Sequence, residues 1–278
     1  MMKRTRLSLT VAALALSACG GGPPGPPALA YQSTSIEDAR YDYSNETVVS
    51  LSVMGQSMEM SQEGTAELAV SFGSDPNGVQ VTMNVEALSA TINQPMGAPV
   101  QVDEGAVDGS LVFLLDRMGN ATLGQMPDVG VEASQMVSGT SLAYTFFPGL
   151  PGRTVALGDV WVDTVTFEGE GAAGPQSETT ILEYTMVGDT VIAGRSLLAI
   201  EFIGTTASSS SFDVAGMAIS QASELDVEGH VLWDYQAAVM FESHKVGTGS
   251  GTVRVPIMPG PVPITVETVQ TARLQDMQ

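Results

Sequence analysis

A period-two alternation of apolar and polar side chains is the feature that most limits how this chain folds. The clearest run has apolar residues at Val79, Val81, Met83 and Val85, each followed by a polar residue. Successive side chains of a β-strand point to opposite faces, so this run predicts a strand with one apolar face. After Ala87 the apolar positions move by one residue, to Leu88, Ala90 and Ile92. This change of phase predicts a β-bulge.

Similar runs recur along the chain, at 49–54, 66–72, 110–115, 161–167, 179–187, 197–203, 231–241 and 264–269. Clusters rich in Gly, Pro, Asn and Asp separate them and are typical of turns, at 73–78, 117–120, 171–175 and 247–251. Two stretches without alternation, 35–43 and 132–145, are candidate helices. The prediction is a mainly β fold, a curved antiparallel sheet or open half-barrel, with one or two short helices.

A weak internal repeat leaves the domain organisation open. The sequence from Asp116 to Gly119 resembles that from Asp226 to Gly229, and both fit the turn of a β-hairpin. A proline-containing segment at 147–152 lies between them. The chain therefore consists of two similar β halves, 31–147 and 148–278, or of one domain, and a length of 278 residues permits either.

Composition excludes several classes of protein. With 10 basic against 31 acidic residues, the net charge of −21 excludes a general nucleic-acid binder, which needs clustered cations. Only 15% of residues are charged and 44% are hydrophobic, which is too apolar for a disordered acidic chain. A single cysteine excludes a disulfide framework. The acidic charge is best interpreted as a solvated surface that keeps a folded body soluble.

The first 18 residues have the organisation of an export signal. Three cations within the first six residues precede an apolar stretch at 7–16, which is shorter than the roughly 20 residues of a bilayer span. The stretch ends in Leu16-Ser17-Ala18-Cys19, which resembles the lipobox of bacterial lipoproteins at every position. That resemblance implies cleavage before Cys19 and acylation of its thiol and of the new amine. The alternative is a secreted protein with a cleaved signal and an ordinary cysteine.

The residues after Cys19 indicate where the body is held. Gly20 follows the cysteine, and by resemblance to lipoproteins of diderm bacteria this favours the outer membrane, facing the periplasm. Residues 19–30 contain the sequence Gly-Gly-Gly-Pro-Pro-Gly-Pro-Pro. Proline-rich chain extends by about 3.1 Å per residue, so this tether holds the body on the order of 25 Å from the lipid. The predicted partner is thus a membrane, reached through the acyl chains.

The second half carries a further resemblance. Phe147-Pro-Gly-Leu-Pro151 is followed by Gly158-Asp-Val-Trp161, which opens a strand, and by the predicted hairpin at 226–229. Across 146–274 this order resembles uncharacterised β-rich envelope lipoproteins. More distantly, the pattern of strands and Asp-containing turns is similar to the half-barrel of Lol-type lipoprotein carriers. That resemblance implies a curved sheet around an apolar hollow, covered by short helices, but carries no binding residue over to this chain.

The sequence contains only weak matches to catalytic, phosphate-binding and metal-binding motifs. Gly139-Thr-Ser141-Leu-Ala143 ends in alanine where a serine-hydrolase elbow has glycine. Gly247-Thr-Gly-Ser-Gly251 lacks the lysine of a phosphate-binding loop. His230 and His244, even with Asp226, are too few ligands for a closed metal site. We therefore expect no enzyme activity, no metal and no cofactor.

The methionines indicate an apolar interior. Met58 and Met60 share one face of a predicted strand, and Met83 lies with Val85 on another. Thioethers also bind Cu(I), but flexible methionine side chains more commonly fill irregular apolar space. These four residues are the candidates for lining a hollow, and Trp161 is predicted to be structural. Two functions follow: binding or carrying an apolar ligand such as lipid, or a structural or interaction role with a filled core.

Overall fold

Most of the part of the chain that the structure describes is β-structure. The computed structural model describes residues 28–32, 36–53, 56–94, 97–130, 139–171, 174–214, 217–258 and 260–277. Over these residues the strands are β1 Asp38–Val53, β2 Gln56–Asp75, β3 Gly78–Asn93, β4 Val100–Asp103, β5 Val107–Asp108, β6 Leu111–Leu115, β7 Ala121–Gln125, β8 Asp128–Val129, β9 Val160–Gly171, β10 Gly174–Ile192, β11 Arg195–Val214, β12 Met217–Asp234, β13 Val239–Arg254 and β14 Val262–Met277. Gly139–Thr145 forms the helix α1, and Glu104–Ala106 forms a 3₁₀ turn.

One antiparallel sheet contains most of these strands. Its order is β7-β6-β3-β2-β1-β14-β13-β12-β11-β10-β9, with β4 paired to β3, while β5 and β8 form a separate two-stranded sheet. The first long strand, β1, pairs along most of its length with β2 on one side and with β14 on the other. Strands from both halves of the sequence therefore belong to one continuous sheet.

The sheet is an open, strongly curled half-barrel, which confirms the predicted fold class. Helix α1 contacts β9 at one end of the strand order and both β6 and β7 at the other end. Because one helix of seven residues reaches both ends, the sheet has curled far enough to bring its two edges close together.

Glycines in mid-strand explain how the sheet curls so tightly. A Cβ added at Gly204, Gly229, Gly249 or Gly251 would lie only 1.9 to 2.2 Å from a carbonyl oxygen of the adjacent strand. Such close approach of two backbones leaves no room for any side chain. Their neighbours in register include the buried Ile264 and Val266, so this glycine row lies on the concave face.

Two predicted turns are wrong for the same reason. Residues 247–251 and 226–229 lie in the middle of β13 and β12, where glycine serves close packing of strands. The turn at 116–119 does form, between β6 and β7, with a hydrogen bond of 3.1 Å from the Gly119 N–H to the Asp116 carbonyl. The predicted strand at 231–241 is interrupted by a turn at 235–238. The repeated hairpin expected from the sequence is therefore absent among these strands.

The two helix predictions have different outcomes. The first, at 35–43, is wrong from Asp38 onwards, where β1 begins. Ala39 and Tyr41 are buried while Arg40 and Asp42 are exposed, so the stretch has the alternation of a strand. The second, at 132–145, is confirmed over its last seven residues, which form α1. Residues 131–138 lie outside the described part of the chain.

The predicted bulge is confirmed. The register between β2 and β3 shifts between Glu67 and Leu68, which pair with Ala87 and Val85, so Glu86 is the extra residue. The strands also extend well beyond the predicted runs, to 20 residues in β2 and β11. Small and hydroxyl-bearing residues in mid-strand break the apolar alternation without ending the ladder of hydrogen bonds.

Candidate ligand site on the concave face

An aromatic plug closes one end of the half-barrel. Phe146 and Phe147 follow α1 and are only 7% and 5% exposed. The Phe147 ring centroid lies 4.9 Å from that of Phe146 and 6.1 to 6.4 Å from the rings of Tyr31, Tyr41, Phe72 and Phe113. Phe146 also packs edge-on against Tyr41 on β1, at 5.4 Å. These rings fill the space that the curled sheet encloses.

We call residues 139–150, that is α1 and the plug, the lid. The lid crosses the opening between the two edges of the sheet. Tyr31 Oη donates a hydrogen bond of 2.9 Å to the Pro148 carbonyl, and Trp161 Nε1 donates one of 3.0 Å to the Gly149 carbonyl. The backbone N–H of Leu150 donates to the Met118 carbonyl at 2.7 Å. Two side-chain hydrogen bonds and one backbone hydrogen bond thus hold the lid, whose residues belong to no strand.

Trp161 lies at the junction of the sheet and the lid. Its ring is half-buried and stacks on Tyr184 of the next strand, with centroids 5.5 Å apart and an interplanar angle of 9°. Stacking fixes the direction of the indole N–H that binds the lid at Gly149. The predicted structural role of Trp161 therefore gains a specific contact, although the residue is not the fully buried core tryptophan; that position belongs to Trp233.

A small cavity lies beneath the lid. Its volume is about 40 Å³, against the several hundred Å³ of an ordinary ligand pocket. Its apolar walls are Tyr144, Phe146, Phe147, Val165, Leu182, Tyr184, Phe202 and Val231, and its polar side chains are Thr145, Asp163, Thr180, Ser243 and Lys245. With the lid closed, there is room for a few water-sized groups and not for an alkyl chain.

Two opposite charges line this cavity. Burial raises the pKa of the Asp163 carboxyl, an effect that a hydrogen bond from the Thr164 backbone partly offsets. Burial lowers the pKa of the Lys245 ammonium, and the negative charge of Glu178 works in the opposite direction. Both side chains are only half-buried by surface area, so water still reaches them. Burial also raises the pKa of Tyr43, to about 12, so the tyrosines of the concave face stay neutral.

Further along the concave face, hydroxyl pairs form a polar belt. The Oγ1 atoms of Thr180 and Thr206 lie 2.9 Å apart, and those of Thr47 and Thr268 lie 3.1 Å apart. Beyond the belt lies a second apolar cluster, consisting of Val49, Ile264 and Val266 with Leu51, Met60, Leu225 and Val253 packed against it. The concave face is therefore apolar at both ends and polar between them.

The structure places all four predicted lining residues on the concave face, but not together. Met83 is 3% exposed in the main core, and Val85 packs against that core. Met60 lies ten residues along β2 from Val70, the residue opposite Met83, a separation of roughly 33 Å at about 3.3 Å per residue. Met58 is half-buried near the end of β2. A ligand-lining role for these residues stays a prediction.

Sequence reasoning missed the residues that build this site. Phe146 and Phe147 lie between a short helix and a proline, in a stretch without periodicity. Lys245 had one visible signal, since it is the only lysine after Lys3. It lies in register opposite Gly229, which the sequence predicts in a turn, and opposite Gln270.

The two histidines lie on the opposite, convex face. Their ring centroids are 5.6 Å apart, and His230 Nε2 lies 3.4 Å from a Glu242 carboxylate oxygen. His230 lies within β12, directly after the residues 226–229 at which the sequence predicts a turn. Among the residues that the structure describes, no three His, Cys, Asp or Glu side chains come together as a metal site.

Comparisons with known proteins give no family. No protein-family model and no curated protein matches this chain. A similar solved structure is the β domain of the Bordetella autotransporter BrkA, with 7% identity and a TM-score of 0.24, covering 85% of this chain and 99% of that one. A putative outer membrane lipoprotein-sorting protein domain from Vibrio parahaemolyticus has 8% identity and a TM-score of 0.17, covering 86% of this chain and 85% of that one. Likenesses this weak carry no argument about fold or function.

No helix within the described ranges has both the length and the apolar character needed to span a bilayer.

Proposed function

We propose that this protein is a membrane-tethered envelope lipoprotein that binds or carries an apolar ligand, such as a lipid, inside its half-barrel, without catalysing a reaction. The observation that carries the proposal is the lid. It fills an open half-barrel with two phenylalanine rings that belong to no strand, and so occupies the place where an apolar ligand would lie.

Exchange of the lid for a ligand is physically reasonable. The edges formed by β7 and β9 are not paired with one another, so the lid can move without breaking the ladder of the sheet. A buried phenylalanine contributes about 150–250 Å² of surface, and apolar burial contributes about 25 cal/mol per Å². An alkyl chain in the same place would recover a similar apolar contact, which keeps the cost of exchange small.

The predicted lipid anchor at Cys19 completes the proposal. Cys19 and tether residues 20–27 lie outside the described residues, so lipidation rests on the lipobox alone, whereas Leu29 and Ala30 at the end of the predicted tether are buried in the body. Acyl chains at Cys19 would keep the body close to a lipid source, and by resemblance this would be the outer membrane on its periplasmic side. The acidic body is repelled by anionic headgroups, which leaves the concave face as the part suited to lipid.

One observation favours a second function. The closed cavity of about 40 Å³ is what a filled core leaves behind, and a filled core suits a structural or interaction lipoprotein that uses its outer surface. The two functions differ in whether the lid ever opens.

Ligand binding is tested on the full-length protein purified in mild detergent from its own envelope. We expect native mass spectrometry to show one non-covalently bound lipid per chain, in addition to the covalent acyl groups. We also expect the delipidated protein to take up a neutral fluorescent alkyl probe. If no lipid co-purifies and no probe is taken up, the structural or interaction function replaces this one.

The anchor is tested separately, with Cys19→Ser. We expect the variant to leave the membrane fraction and to lose labelling by radioactive fatty acid, because the lipobox thiol is the only one in the chain. Ser17→Ala is a matched control within the same motif and should remain labelled. A Cys19→Ser protein that stays membrane-bound and labelled would overturn the prediction that Cys19 is the lipid anchor.

A further inference from the structure

We infer that the ligand is an acidic lipid, whose anionic headgroup binds the Lys245 ammonium while its alkyl chain takes the place of the lid's phenylalanines. This inference rests on the proposed function and specifies the chemistry of the same site.

The position of Lys245 is the first argument. It lies on β13 of the concave face, in register opposite Gly229 of β12, with Ser243 and Gly247 two residues away on its own strand. Lys245 is among the residues that line the cavity beneath Phe146 and Phe147. A cation is therefore placed where the plug meets the floor of the half-barrel.

The second argument is that this cation is not paired. Lys245 forms neither an ion pair nor a hydrogen bond with any residue that the structure describes. Glu178 influences it electrostatically but lies too far away for an ion pair, and its carboxylate accepts instead from Thr180 Oγ1 at 3.2 Å. Partial burial takes away part of the hydration of the ammonium group, which is unfavourable unless a counterion is supplied. A carboxylate or phosphate of a ligand would supply it.

The third argument is the combination of groups around the amine. The cavity walls are mainly apolar, and Thr180 and Ser243 contribute hydroxyl groups to the same lining as the lysine. A headgroup of a few atoms fits the 40 Å³ that exist with the lid closed, and the lid's two rings mark where a chain would run. Apolar walls that also carry a cation and hydroxyl groups match a molecule with an alkyl chain and an acidic end.

Asp163 lines the same cavity and opposes an anion there. Burial raises its pKa, so its carboxyl takes up a proton more readily than an exposed aspartate. Its substitution also provides a test in which the expected change in anion affinity is opposite to that of a lysine substitution. Removing the charge with Asp163→Asn should strengthen the binding of an anion, whereas removing the cation should weaken it.

The test compares a C16 fatty acid with the C16 alcohol of equal chain length, by calorimetric titration of the delipidated full-length protein. We expect the wild-type protein to prefer the acid, and Lys245→Met to bind the acid about ten- to a hundredfold more weakly, the usual effect of losing a charged hydrogen bond. Binding of the alcohol should not change. Asp163→Asn should tighten binding of the acid. Lys245→Arg keeps the positive charge, so this variant should keep the preference for the acid over the alcohol. It tests the role of the charge even if Lys245→Met fails to fold.

The outcomes separate this inference from the proposed function. If the wild-type protein binds acid and alcohol equally, or Lys245→Met weakens both equally, the headgroup assignment is wrong and the apolar site remains. If neither probe binds, the proposed function itself fails. If inorganic phosphate alone displaces the acid completely at similar concentration, the site recognises free anions, and the assignment to an acidic lipid is overturned.

Discussion

Phe147→Ala should lower the free energy of unfolding by about 3–5 kcal/mol, the usual cost of truncating a buried phenylalanine. The Phe147 side chain is 5% exposed, and its ring lies within 6.4 Å of five other aromatic rings. Its loss leaves a cavity that the surrounding strands cannot close, because each is held in a ladder on both sides. Urea unfolding of the Cys19→Ser protein, with and without Phe147→Ala, measures the difference.

The matched control is Leu157→Ala, since Leu157 is 74% exposed and packs against little. We expect it to change the free energy of unfolding by no more than about 0.5 kcal/mol. If Phe147→Ala is equally mild, the plug contributes little to the folded state and the lid is not the closure of this half-barrel. A destabilised variant that takes up the neutral alkyl probe more readily would agree with the proposed exchange.

Gly229→Ala should be among the most destabilising single substitutions in the sheet. The added Cβ would lie 2.0 Å from the His244 carbonyl oxygen and 2.5 Å from Cζ of Phe202. The first contact is with backbone, so relief requires β12 and β13 to move apart at this position. We expect a loss of at least about 3 kcal/mol in the free energy of unfolding, at the upper end of single-substitution effects.

Gly169→Ala is the control for that prediction. Gly169 also lies in a strand, the edge strand β9, but a Cβ added there meets nothing within 4 Å. Alanine restricts the unfolded chain, so this substitution should be neutral or stabilising by up to about 1 kcal/mol. Thermal unfolding of both variants distinguishes a steric requirement from a general effect of glycine. Equal melting temperatures would show that close backbone approach does not set the curl.

The sequence by itself determined the local geometry of the strands. The run from Val79 to Val85 alternates because one face meets the core, and its change of phase after Ala87 marked the bulge that the structure shows. The turn at 116–119 was equally clear, because an Asp and a Gly three residues apart satisfy the backbone locally. These features depend on neighbours in sequence, and short-range steric rules describe them well.

Only the tertiary structure decided the role of the mid-strand glycines, the direction of the curl and the contents of the interior. Gly229 and Gly249 have the same local signature as turn glycines, and what separates them is the carbonyl of an adjacent strand. Phe147 meets Tyr31 and Phe72, which lie 116 and 75 residues earlier in the chain. Lys245 likewise joins the lid in one cavity across about 100 residues of sequence. Such contacts arise from the order and register of strands, which local alternation does not specify, because many pairings of similar strands bury the same apolar faces.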